Sequence, residues 1–162
     1  MVGNLHSYSI FESFVIAFLL SLFTTGVFAF PGFSFKTSSL LPASYYSIKY
    51  PELLNKMYQI LGVHYFRKVL MVVFWGQKKN RAKYFDGSKG GLQNLIYQTK
   101  QSEFGHLGAS IAIAGLSILL LAKGYWLIFG FMTLINIIGN IYPVILQRKH
   151  RLRIEKITSQ TD

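Results

Sequence analysis

The apolar positions of this chain fall in blocks. "IFESFVIAFLLSLFTTGVFAF" (Ile10 to Phe30) holds a single charge, Glu12, and at about 1.5 Å per residue it can cross roughly 30 Å of hydrocarbon. "HLGASIAIAGLSILLLA" (His106 to Ala122) and "YWLIFGFMTLINIIGNIYPVIL" (Tyr125 to Leu146) are separated by Lys123 and Gly124 alone, so they read as antiparallel spans joined by a tight turn. Between the first block and these two, Pro31, Pro42 and Pro51 cut the chain into short pieces. "ELLNKMYQILGVHYFRKVLMVVFWG" (Glu52 to Gly76) then predicts one or two helices. Leu54, Met57 and Leu61, and then Val69, Val72 and Val73, form apolar faces, with Lys56, Arg67 and Lys68 at headgroup level. Such a segment lies along the interface or re-enters it, being too short in apolar residues to form a fourth crossing. "QKKNRAKYFDGSKGG" (Gln77 to Gly91) reads as a polar, basic loop.

The expected fold is therefore an all-α integral membrane protein in a single domain over residues 1–162. Its spans cover about residues 10–30, 106–122 and 125–146, interfacial amphipathic helices lie within 31–105, and a basic tail follows over 147–162. The first block is read as a retained span: no Lys or Arg precedes it, and "VFAFPGF" is a poor small-residue cleavage site.

Charge adds orientation. Of 17 Lys and Arg, eleven lie between Lys36 and Lys100, one is Lys123, and five fall in "RKHRLRIEK" after the last span. The positive-inside rule then predicts a multi-pass protein of the cell membrane with its amino terminus outside and its carboxyl terminus cytoplasmic. The net charge of +11 faces anionic headgroups or an anionic substrate, not nucleic acid, since no aromatic-interleaved basic groove accompanies it. The chain has no cysteine, which removes thiolate nucleophiles and Cys-based metal sites.

Polar residues within the late spans recur at helical spacing. Glu103, His106, Ser110 and Ser117 step by three, four and seven, and Asn136, Asn140, Pro143 and Gln147 step by four, three and four. Each set forms one face. Counting back from Gly124, His106 and Asn140 differ in depth by only about 3 Å, and Glu103 is level with Ile145, near Tyr142, Gln147 and Arg148. Small residues from Gly108 to Gly115 would let the two spans of the hairpin approach closely. A carboxylate, an imidazole, two amides and a guanidinium thus converge at one depth. Taken singly, Glu103 could be no more than a helix-start acid, and the asparagines no more than contacts between helices.

Three stretches resemble a known family. "YYSIKYPELLNKMYQILGVHYFRK" (Tyr45 to Lys68), "SEFGH" with Glu103 and His106, and "NIYPVILQRKHRLR" (Asn140 to Arg153) are similar to the glycosyl-4,4'-diaponeurosporenoate acyltransferases, small membrane proteins of carotenoid-glycoside biosynthesis. The likeness runs from about Leu41 to Arg153. It implies transfer of a fatty acyl group to a sugar hydroxyl of a membrane glycolipid.

On that basis His106 is the expected base, oriented by Glu103, with Asn140 or Tyr142 as oxyanion donors and Gln147 as a positioning residue. Arg67, Lys68, Arg148, Arg151 and Arg153 are the expected binders of headgroups or of the phosphates of an acyl-CoA donor, and no bound cofactor is expected. The His-x-x-x-x-Asp pattern of common glycerolipid acyltransferases is absent after both His64 and His106. The rival reading is a non-catalytic membrane subunit or lipid-binding scaffold. A metal site is not expected: Glu-x-x-His occurs here once, and carboxylate-bridged sites need it twice with further acids.

Overall fold

The computed structural model describes residues 8–73 and 88–159, and the basic loop anticipated at Gln77 to Gly91 falls mostly outside them. Among the described residues the fold is all helical, and three helices are long and apolar enough to cross a membrane.

Helix α1 spans Ile10–Ser34. Its start is a capping box: the Ser9 hydroxyl accepts from the Glu12 N–H at 3.2 Å, and the Glu12 carboxylate accepts from the Ser9 N–H at 2.8 Å. Glu12, the one charge of the first apolar block, is thereby explained as a cap. The proline expected to end this helix does not. Pro31 sits inside it, and the Phe35 N–H donates to the Pro31 carbonyl at 2.8 Å. A proline removes its own donor but leaves its carbonyl to support the next turn. Ser13, Ala17 and Ser21 form a buried stripe of small side chains, while Phe11, Leu19, Leu22, Phe23 and Phe30 face outward.

Short helices follow: a 3₁₀ turn at Thr37–Ser39, α2 (Ala43–Tyr46), α3 (Pro51–Ile60) and α4 (Val63–Val73). Gly62, with φ +66°, breaks the segment into two helices, a backbone region that glycine enters without steric cost. Leu54 and Val63 are buried, whereas Met57, Ile60, Val69, Val72 and Val73 are exposed. The apolar faces of α3 and α4 are therefore split between the protein and the outside, as suits helices lying along an interface.

Helix α5 runs unbroken over Lys89–Ala122, 34 residues, and so exceeds the predicted span by seventeen positions at its start. The polar stretch before His106 is helix too, so Glu103 and His106 lie inside a long helix and not at its first turn. Gly124, at φ +87°, makes the tight turn into α6 (Trp126–Asn136). A π-helical segment, Ile137–Ile141, joins α6 to α7 (Tyr142–Thr158). The expected basic tail is thus an ordered helical extension as far as Thr158.

The Tyr8 and Tyr125 rings lie 5.7 Å apart, which sets the start of α1 and the hairpin turn at one end of the bundle. Two apolar clusters hold the fold. Ala17, Ile113, Ile128 and Met132 join the three long helices near the hairpin, and Leu54, Val63, Ile145, Leu146 and Leu152 join α3 and α4 to α7. Between them runs a layer of polar side chains.

Of the small residues of α5, Gly108 serves a different contact from the one expected. A Cβ on Gly108 would lie 2.5 Å from the Phe28 ring and one on Gly105 would lie 3.1 Å from the Phe28 carbonyl oxygen, whereas one on Gly115 would meet nothing within 4 Å. Glycine at 105 and 108 therefore admits α1, not the hairpin partner. Gly108→Val is expected to lower the thermal midpoint of the solubilised protein, an overpacking cost of about 1–3 kcal/mol, and Phe28→Ala in the same chain to recover part of it. An unchanged midpoint for the single variant contradicts this contact.

Candidate functional site

The upper part of the polar layer is a chain of hydrogen bonds whose direction is set from one end. It starts at a backbone carbonyl, Ser110, which can only accept, so the group facing it at 3.0 Å is the Asn136 Nδ2 amide. The Asn136 Oδ1 then faces Asn140 and accepts from its Nδ2 at 3.2 Å, and the same amide nitrogen donates to Thr25 Oγ1 at 3.2 Å. Both Asn140 amide hydrogens are thereby committed, and its Oδ1 faces His106 Nδ1 at 3.1 Å, with the Thr25 hydroxyl at 3.4 Å. An amide oxygen can only accept, so Nδ1 carries the proton. The neutral imidazole then has its lone pair on Nε2.

Pro143 contributes to this arrangement. Having no N–H, it cannot donate to the Gly139 carbonyl four residues earlier, and that carbonyl lies beside the His106 ring. The π-helical turn at Ile137–Ile141 is where Asn140 and Gly139 sit. Such turns widen a helix and recur at functional sites.

The lower part is an ion cluster. Glu103, fully buried, accepts from Arg148 Nε at 2.7 Å through one oxygen and from Arg151 Nη2 through the other. Arg151 is 2% exposed. The Arg148 guanidinium lies 4.8 Å from the Tyr45 ring and that of Arg151 lies 5.4 Å from the Tyr46 ring. The planar cations are therefore held between one carboxylate and two aromatic faces. Burial, and after it the negative charge of Glu103, raises both phenols above the ordinary tyrosine range, so they stay neutral as donors. Gln147 donates to Ser102 Oγ at 3.2 Å alongside.

The sequence-predicted residues thus separate. His106 and Asn140 touch, as their depths required. Glu103 instead engages Arg148 and Arg151 with both oxygens, so the residue that orients His106 is Asn140. With no amide hydrogen to spare, Asn140 is placed to position the ring and not to bind an oxyanion. Tyr142 turns its ring to Phe66, 5.7 Å away, within the α3–α4–α7 cluster. Arg67 and Arg153 line a separate cavity, and Lys68 lies over Tyr65 at 5.6 Å. Among the described residues, no group of three or more His, Asp or Glu side chains is placed to hold a metal ion.

Ser102, Thr25, Tyr45 and Tyr46 were not anticipated. Thr25 enters from α1, and its only advance sign was the "TT" pair inside an otherwise apolar block. Tyr45 and Tyr46 enter from α2, where the chain carries turn residues and no periodicity. All but Thr25 lie within the part of the chain covered by comparison with known proteins. No curated protein and no solved structure matches the chain. A sequence model of the glycosyl-4,4'-diaponeurosporenoate acyltransferase family matches residues 42–160, a stretch that takes in Tyr45, Glu103, His106, Asn140, Arg148 and Arg151. That match extends over well more than half of the chain and includes both parts of the polar layer, so the protein belongs to the glycosyl-4,4'-diaponeurosporenoate acyltransferase family and is an acyltransferase.

Proposed function

We propose that this enzyme esterifies a hydroxyl of a glycosylated membrane lipid with a fatty acyl group at the cytoplasmic ends of its spans, with His106 as the general base. The observation that carries this reading is the chain from the Ser110 carbonyl through Asn136 and Asn140, which supports an imidazole with Nδ1 protonated and Nε2 basic. Nε2 takes the proton of the sugar hydroxyl as its oxygen attacks the acyl carbonyl carbon. The tetrahedral intermediate collapses by breaking the bond to the leaving group, a thiolate where the donor is an acyl-CoA, and the imidazolium returns the proton to it. Asn140 holds the ring through both proton positions, since its oxygen accepts from Nδ1–H throughout.

Glu103 takes a positioning role, fixing α7 against α5. With Arg148 and Arg151 engaged by that carboxylate, the anionic part of a donor or of a headgroup falls to Arg67, Lys68 and Arg153. The orientation with the amino terminus outside is supported by the distribution of Lys and Arg along the chain. The contact of Tyr8 with Tyr125 puts the start of the first span and the hairpin turn on one side, as that orientation requires.

The test is direct. Membranes containing the protein, given a glycosylated carotenoid and a fatty acyl-CoA, are expected to yield a product heavier by one acyl chain. Absence of that product from membranes that hold folded protein, across glycosylated acceptors and acyl donors, removes the reading.

A further inference from the structure

Helix α7 carries cations on two opposite faces. Arg148 and Arg151 point toward α5, where Glu103 meets them. Lys149, His150 and Arg153 follow Leu146 at the three-and-four spacing of the other face, and there they line a cavity of about 330 Å³ with Tyr58, His64 and Arg67 from α3 and α4. Among the described residues no carboxylate lines this cavity. Among the described residues the Arg67 Nε is buried with no hydrogen-bond partner. Lys149 Nζ bonds to Asn55 Oδ1 and lies 5.6 Å from the Tyr58 ring, so the ammonium is fixed in place without being neutralised.

Cations gathered in one concavity repel one another unless an anion joins them. Here the described residues supply a carboxylate partner on one face of α7 and none on the other. Guanidinium groups match the oxygens of phosphate in a fork, an ammonium adds a point charge, and a tyrosine hydroxyl or neutral imidazole adds a further donor. A carboxylate ligand would use these groups less fully, having two oxygens where a phosphate presents three.

We propose that this cavity binds a phosphate group. Two sources offer that chemistry at a membrane surface: the headgroup of an anionic phospholipid, and the phosphates of a soluble acyl donor. Where it serves acyl transfer, the site rests on the reading of function given above. As a phosphate site it stands on the cavity alone.

The test uses the full chain in nanodiscs of phosphatidylcholine and two probes. Adenosine 3',5'-bisphosphate is added to the solution and followed by calorimetry, and phosphatidylglycerol is added to the lipid and followed as retained lipid by native mass spectrometry. Saturable binding of either probe is expected, weakened about tenfold or more in Arg67→Gln/Arg153→Gln, as loss of charge-assisted hydrogen bonds predicts. Lys36→Gln/Lys123→Gln removes equal charge elsewhere and is expected to bind as wild type. Should the first variant not fold, Lys149→Gln serves in its place. Binding of the nucleotide assigns the site to the donor, and binding of the lipid alone assigns it to a headgroup. Failure of both probes, or equal losses in the cavity and control variants, overturns the proposal. No step of this experiment requires turnover, so a protein that binds but does not transfer acyl groups removes the proposed function and leaves this site intact.

Discussion

His106→Gln is expected to cut acyl transfer by about 10²–10⁴-fold, the usual contribution of a positioned base, while the protein remains folded in the membrane. Glutamine is the informative replacement. Its amide can donate to Asn140 Oδ1 as His106 Nδ1 does at 3.1 Å, so the network persists, yet it cannot take a proton. Alanine removes the base and the donor together and leaves the buried Asn140 oxygen with only the long 3.4 Å contact from the Thr25 hydroxyl, a cost of about 1–3 kcal/mol. The two variants should therefore be equally inactive but unequally stable, as read by product mass and by thermal midpoint in detergent. Near wild-type product formation by His106→Gln would show that the imidazole fills the interface without moving a proton.

Glu103→Gln is expected to act the other way, on the fold before the chemistry. Both carboxylate oxygens are engaged by arginines, and Arg151 is 2% exposed. Removing the negative charge leaves a buried guanidinium without a counter-charge, a loss of about 3–5 kcal/mol when one partner of a buried pair is deleted. Removing both buried charges should be milder, because an apolar pair of similar volume is often tolerated in such places. Glu103→Leu/Arg151→Met is thus predicted to recover much of the midpoint lost in Glu103→Gln. A wild-type midpoint for Glu103→Gln, together with lost activity, would instead place Glu103 in the chemistry.

The hairpin was legible because a membrane makes polar spacing costly and therefore meaningful. Steps of three and four, with depth counted from Gly124, were sufficient to put His106 beside Asn140 and Glu103 beside Arg148. The same counting could not assign partners within the layer, since depth says which residues are level and not which donor faces which acceptor. Glu103 was thus expected to serve its helix neighbour His106, whereas two cations on α7 outcompete a neutral ring for a buried carboxylate. The start of α5 was missed because residues 89–105 have no sustained apolar face, and their helicity depends on packing against the rest of the fold. Pro31 was misread because a local preference for chain-breaking yielded to the surrounding helix.

The π-helical segment at Ile137–Ile141 also sets the phase of everything after it. Each such turn takes up one more residue than an α-helical one, which rotates the following helix by on the order of 100° relative to an uninterrupted register. Upstream of this step the last span answers to α1 and α5, and downstream α7 must present Arg148 and Arg151 to Glu103 on one side and Leu146, Lys149 and Arg153 to α3 and α4 on the other. The wide turn functions as an angular offset between two halves of one rod, so that each half meets its own neighbours without either having to tilt.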